Sequence, residues 1–476
     1  MIDVEKRRGE SVSIYVWSYM VLLLLVTFSV AQYFPVVSLV GLFVAGFIFL
    51  APFFFKFLTV ESRLVFSSVV FGVLLTALYP PFVGFFSGLN GGVNSILIKI
   101  LLGLRSAFFS VWIYIAFSIL VFKDGSKRSV LFLFLVTLII IVGLAVGPGS
   151  VEPKVTYLFN SFLALFSVLG VIAFVVSEKV DVNFLGEVVF KLAVVVCLVS
   201  IVYFPILILN LDVFRPDLAL FHQSVEGRGL SGALPPQWTS LVYGEFYPRF
   251  VGSFPNPILF GYFFALVSYV FFVKDRYFIS LALLGFVFLS LSKGAILLFL
   301  MAMVFRFALR RSKLVFWIVF LGVVTSSLSL AYVLDGSNRV HLRGLMGGIS
   351  SVVSSSIDNK IFGFGLGSGG NLARAELEDG PVSEGWLASG SESGVGVLTY
   401  QFGFLGLTVF LLLIMNVFKR GLDNSLSGSS IAAVSLVFAW FANTLLQEDL
   451  INVTIVSQLL MTVVVLKSKR VMGRVD

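Results

Sequence analysis

The sequence has one cysteine and two histidines in 476 residues, and only 12% of its residues are charged. A single cysteine, Cys197 inside an apolar run, excludes a disulfide framework and a cysteine-held metal centre. Two histidines exclude a histidine-rich metal site. Soluble domains carry about 25% charged residues and about 45–50% apolar ones. With 58% hydrophobic residues and a mean hydropathy of +1.04, this chain cannot be a water-soluble globule. What is abundant is apolar sequence in long unbroken runs, with 53 phenylalanines among them.

A helix needs about 20 apolar residues to cross a hydrocarbon core of about 30 Å. On that criterion the chain reads as an all-α, polytopic integral membrane protein. About fourteen transmembrane helices are predicted, near 13–32, 36–55, 64–86, 106–122, 129–147, 156–177, 187–209, 256–273, 277–292, 294–309, 314–333, 395–418, 430–446 and 450–466. The runs are continuous rather than alternating and far exceed ten residues, which excludes a transmembrane barrel. Lys6-Arg7-Arg8, an apolar stretch and Ser29-Val30-Ala31 imitate a signal peptide. The stretch is long for one, however, and a second span follows at once, so an uncleaved first helix is expected.

The net charge of +8 would suit nucleic acid, but its distribution points elsewhere. With the N-terminus inside, 21 of the 33 basic residues fall on the inner side, mostly in short loops beside helix ends. That asymmetry is the positive-inside signal and predicts an N-in, C-in topology with no nucleic-acid partner. The expected organisation is 1–209 N-terminal spans, 210–255 outer loop A, 256–333 central spans, 334–394 outer loop B and 395–476 C-terminal spans.

Chemistry is expected in the two outer loops. Loop A is aromatic (Trp238, Tyr243, Phe246, Tyr247, Phe250) and ends on Tyr247-Pro248-Arg249-Phe250-Val251-Gly252-Ser253-Phe254-Pro255-Asn256-Pro257. Its prolines stiffen the segment, Gly252 permits close backbone approach, and Arg249 offers a permanently charged fork suited to phosphate oxygens. Anchoring to lipid headgroups is the plainer role for such an arginine. Loop B opens with Arg339, His341 and Arg343, which share a face on a strand; the two arginines share one on a helix. A solvated charged face or pairing with the loop's own carboxylates are the alternatives. Gly365, Gly367 and Gly370 match a dinucleotide fingerprint by spacing, yet no β-α-β unit surrounds them. A close-approach turn lining a cavity is the expectation instead. Glu392 lies at a helix mouth, where it could act as a base or simply cap the helix. Lys293, between the ninth and tenth spans, could add a cation or snorkel to the interface. Glu376-Leu377-Glu378-Asp379 reads as solvated surface, and no metal site or cofactor is expected.

Three pieces together resemble the O-antigen ligase and polymerase superfamily over roughly 249–407. They are Arg249-Phe-Val-Gly252-Ser-Phe-Pro-Asn256-Pro; Leu289-Ser-Leu-Ser292-Lys293-Gly294-Ala295, with lysine in place of the family's arginine; and Phe362-Gly-Phe-Gly-Leu-Gly367-Ser, followed by Glu392 and Gln401-Phe-Gly-Phe-Leu-Gly406-Leu. The ligases' His-Asn pair is missing, since the corresponding stretch reads Ser389-Gly390-Ser391-Glu392-Ser393. That favours the Wzy-type polymerase branch over a WaaL-type ligase. The resemblance implies a GT-C-like bundle in a bacterial inner membrane. It further implies metal-independent transfer of a glycan from an undecaprenyl diphosphate carrier at the periplasmic face, in the making of lipopolysaccharide O-antigen or a related surface polysaccharide. Membrane lipid and a chain-length regulator are the implied partners. In that chemistry Arg249, Arg339 and Arg343 would stabilise the departing diphosphate and Glu392 would serve as base. His341, Lys293, Gly252, Gly365 and Gly367 would contact substrate. A lipid-linked oligosaccharide flippase is the rival from another class; it would carry its cations inside the spans, where charged residues are nearly absent apart from Lys191.

Overall fold

The computed structural model describes residues 59–77, 95–147, 151–209, 238–242, 245–254, 256–334, 340–370, 393–423 and 427–472. The first two expected spans, Arg339, Glu376-Leu377-Glu378-Asp379 and Glu392 lie outside them. The described chain is almost entirely helical. In order the helices are α1 (Val60–Ala77), α2 (Ser95–Asp124), α3 (Lys127–Val146), α4 (Val151–Tyr157), α5 (Leu163–Val176) and α6 (Asn183–Leu209). A ribbon of β1 (Thr239–Val242) and β2 (Glu245–Pro248) follows. Then come α7 (Pro257–Val273), α8 (Tyr277–Leu289), α9 (Lys293–Arg311), α10 (Lys313–Leu334), α11 (Val340–Val353), α12 (Ile357–Phe362), α13 (Gly394–Asp423), α14 (Gly428–Thr444), α15 (Val453–Lys467) and α16 (Lys469–Met472).

Among the described residues, five stretches are long and apolar enough to cross a membrane: Ser106–Asp124, Lys127–Val146, Lys154–Val176, Asn183–Val202 and Gly394–Leu422. α7, α8, α14, α15 and the first part of α10 are shorter apolar helices. Helix starts are set by local side chains. Asn256 Oδ1 accepts from Leu259 N at 2.8 Å, with Pro257 as the first residue of α7, where a missing N–H costs nothing. Ser126 and Ser427 cap α3 and α14 in the same way, at 3.2 Å each.

The chain divides into two compact units, the first formed by Met1–Arg105, Asp181–Ile296 and Ser468–Arg474. In it α7 and α8 form a tight hairpin, while α1 and α16 pack on α6. Lys274, after α7, lies over the Phe190 ring of α6 at 4.4 Å, and Arg470 pairs with Glu187 at 3.7 Å. Those basic residues gather at one end of the unit. Loop A's ribbon and the α8–α9 turn lie at the other.

The second unit comprises Ser106–Val180, Leu297–Lys467 and Val475–Asp476. Its centre is α5, in which every residue is buried, packed against α13 and α15. A helix apolar all round belongs inside a bundle. A π turn, Leu158–Phe162, precedes α5, and Ser110 Oγ donates to the Phe159 carbonyl at 2.6 Å beside it. Phe305, Phe316, Trp317, Phe320, Phe418 and Phe438 form an aromatic cluster joining α9, α10, α13 and α14. At one end of this unit Asp124 binds Lys179 and Arg420, and Lys467 binds Glu178 at 2.9 Å. The end of α3, the start of α13 and the connection from α14 to α15 form the opposite end.

Candidate functional site

In the first unit, two of the three motif pieces are in direct contact. The backbone N–H of Phe250 donates to the Leu289 carbonyl at 3.0 Å. Arg249 Nε donates to the Ser290 carbonyl at 2.8 Å, and its Nη2 reaches the Leu291 carbonyl at 3.4 Å. These bonds lay the end of loop A along the turn that carries Lys293, an exposed residue at the start of α9. Bonds from a charged donor stabilise by about 1.5–3 kcal/mol where water is excluded, and the solvent-facing Nη2 bond contributes less. Burial pushes the Arg249 guanidinium below the ordinary arginine value. It still remains a cation, because arginine does not deprotonate in proteins.

The surrounding packing is close. A Cβ at Gly252 would meet Ser200 Cβ at 2.7 Å and the Phe260 ring at 3.0 Å, while Ser253 and Ser200 share a 2.8 Å hydrogen bond. A Cβ at Gly261 would meet Ser292 Cβ at 2.6 Å. Loop A's last residues are therefore wedged between α6, α7 and the α8–α9 turn. Gly252 serves that contact.

In the second unit the third motif piece closes on itself. The apolar run of α13 conceals a break, since Gly403 sits at φ 62°, ψ −161°. A side chain there would meet the Ile361 carbonyl at 2.5 Å and Gly363 N at 2.6 Å. The break releases carbonyls, and the glycine-rich turn takes them: Phe364 N donates to Tyr400 O and Gly365 N to Gln401 O, both at 2.9 Å. Non-helical backbone among apolar spans is tolerated where protein or an aqueous cavity satisfies it, and here protein supplies the partners. Gln401 completes the clamp, its Nε2 donating to Gly369 O at 2.6 Å and its Oε1 accepting from Gly367 N at 3.1 Å. Phe364 stacks on Tyr400 at 4.5 Å.

The amides of Gly365 and Gly367, expected to face a substrate, are thus both engaged by Gln401. Gly365 also packs directly on the Gly147 backbone at the end of α3, and Leu366 N donates to Gly143 O at 2.8 Å. The turn makes the close approach that was expected of it, but it is buried against protein rather than lining a cavity. His341 is half-buried and Arg343 exposed, both on the first turn of α11. That helix meets α13 through Gly344, Gly348 and Gly396, a small-residue contact that lets the backbones touch. Arg249, Gly252 and Lys293 belong to the first unit, and His341, Arg343, Gly365 and Gly367 to the second.

Sequence reasoning missed a buried polar pair at this end of the second unit. Tyr157 donates its hydroxyl to Glu448 Oε1 at 3.1 Å. A Cβ on Gly370 would lie 2.8 Å from that oxygen, so the end of the glycine-rich turn packs on the carboxylate. The Lys154 side chain lies against Gly147 close by. Glu448 stands in Gln447-Glu448-Asp449, a short connection between two apolar runs, and its carboxylate enters the packed end of the bundle while Asp449 stays exposed. That brevity was the available signal. No group of three or more metal-ligating side chains occurs among the described residues. No protein-family model matches the chain, and no curated protein shows significant similarity to it.

Proposed function

We propose that this chain is a membrane glycosyltransferase that polymerises undecaprenyl-diphosphate-linked repeat units into a surface polysaccharide. In this reading it spans the inner membrane about fourteen times with both termini in the cytoplasm, and works at the outer face. The observation that carries the reading is the union of Arg249 with the Ser290–Lys293 turn. Two sequence pieces some forty residues apart, each carrying a cation, are built into one rigid corner beside the start of α7.

The chemistry asks for such a corner. The acceptor sugar's hydroxyl oxygen bonds to the donor's anomeric carbon while that carbon's bond to the diphosphate oxygen breaks. The electron pair leaves on the lipid diphosphate, and the hydroxyl proton passes to a carboxylate, the role proposed for Glu392. Fixed cations lower the barrier by facing charge that grows as the bond breaks. Arg249 and Arg343 are assigned that task, with Arg339, His341 and Lys293 holding the ground-state diphosphate.

Deletion of the gene followed by electrophoresis of surface polysaccharide tests the class of activity. Collapse of the ladder to a single repeat unit is expected. Loss of all capped lipid would instead mean a ligase, and intracellular build-up of carrier-linked units a flippase. Within the polymerase reading, Arg249→Ala and Arg343→Ala should each abolish long chains at normal protein level; normal ladders in both variants would remove the mechanism.

A further inference from the structure

The corner between α9 and α10 holds a groove of about 550 Å³ that the polymerase reading does not use. Val304 and Phe307 on α9 and Val315 and Val319 on α10 form its apolar walls, and Arg310 and Arg311 stand at its mouth. These walls are open: Phe307 is 51% exposed and Val304 44%. The opposite side of α10 is buried, with Phe316 and Phe320 in the aromatic cluster against Phe438. The groove therefore lies on the outward side of the unit, where lipid would surround it.

Its position along the bundle is fixed by contacts. Phe316 lies 5.4 Å from Phe418, two residues before Arg420, and Arg420 binds Asp124. The groove's mouth is accordingly at the basic end of this unit, the end that charge asymmetry assigns to the cytoplasmic leaflet. Residues 297–334 contain no aspartate or glutamate, so nothing along these two helices neutralises Arg310, Arg311 and Lys313. The first turn of α10, capped by Ser312 Oγ at 3.0 Å from Val315 N, adds the positive end of a helix dipole beside them.

We infer that this groove is a binding site for an anionic phospholipid of the cytoplasmic leaflet. One acyl chain would lie along Val304, Phe307, Val315 and Val319, and the phosphate would sit on Arg310 and Arg311. An apolar trough ending in two guanidiniums matches both halves of such a lipid, whereas a soluble anion would gain nothing from the trough. Basic pockets between spans on the cytoplasmic side recognise anionic headgroups by this combination. The inference rests on the membrane reading and its orientation, not on glycosyl transfer, so a normal polysaccharide ladder in Arg249→Ala would leave it standing.

The test uses full-length protein, delipidated in mild detergent and titrated with phosphatidylglycerol or phosphatidylcholine under native mass spectrometry. Phosphatidylglycerol should bind more tightly. Arg310→Gln combined with Arg311→Gln should weaken it about 30-fold, from about 1 kcal/mol for each basic residue near an anionic surface. Both side chains are exposed, so the variant should fold, and unchanged elution on size exclusion checks that. Val315→Trp, which fills the trough without touching charge, should weaken both lipids. Equal affinity for the two lipids, or an unchanged titration in the arginine variant, would overturn the site. So would a photo-crosslinker at Val315 that captures a second copy of the chain instead of lipid.

Discussion

The two ends of the second unit are fastened by different physics. At the basic end, helices α2, α3, α5, α13, α14 and α15 are tied by long charged side chains, with Asp124 between Lys179 and Arg420 and Lys467 bound to Glu178. At the other end the backbones themselves meet, through Gly143, Gly147, Gly365 and Gly403, and Tyr157, Gln401 and Glu448 are buried among them. Charged side chains can shift by an ångström and still pair. Backbone packed on backbone cannot. The first end therefore suits a region that must be anchored, and the second a region whose geometry must be held.

Substitutions can break this contrast, and the largest effect should come from Gly365→Ala. Its methyl would be driven into the Gly147 backbone at a residue already at φ +86°, so a loss above about 4 kcal/mol is expected. Absence of folded protein on fluorescence-detected size exclusion would register it. Gly125→Ala is the matched control at the basic end: φ is +61° but nothing lies within 4 Å, and the cost should stay near 1 kcal/mol. Comparable melting losses in the two would abolish the distinction.

Next in size is Asp124→Asn. Asp124 is nearly buried and receives bonds from Lys179, Arg420, Ser126 and Ser129. Removing its charge should lower stability by about 2 kcal/mol, discounted because Lys179 is half exposed. Adding salt should shrink the difference in melting temperature between variant and parent. Tyr157→Phe removes the hydroxyl from Glu448 and should cost about 1–2 kcal/mol, with no salt dependence because the pair is buried. Smallest should be Lys191→Gln, which breaks an outward-facing i,i+4 pair with Glu187 near the basic end of α6, where Arg470 still answers the carboxylate; such a pair is worth about 0.3–0.5 kcal/mol. That change should lie within the error of a thermal melt.

Much of the helical layout was legible because long apolar runs end at charges. The run 314–333 became Lys313–Leu334, and 256–273 became Pro257–Val273. The break at Gly403 was not legible, since hydropathy is continuous across Gly394–Leu422 and registers nothing of a residue's φ. The β-ribbon of loop A escaped for a related reason: four-residue strands are too short to show a period of two. At the site, Arg249 and the Ser290–Lys293 turn were each readable, but their contact was not, because it runs through main-chain carbonyls that carry no sequence signal. Lys191 was singled out as an intramembrane cation. It sits one turn from Glu187 and binds it at 3.0 Å, so the charge is locally answered.

Leu291 holds a left-handed backbone, φ 51°, a state that branched side chains avoid. Its carbonyl is one of the two that Arg249 grips. Cutting that arginine to alanine therefore releases a torsion as well as a charge, and the corner is free to unwind. Arg249→Lys keeps the charge while loosening the grip, and Leu291→Gly removes the torsion while keeping both. Read together, the three substitutions separate an arginine that faces its ligand from one that merely props the hinge beneath it.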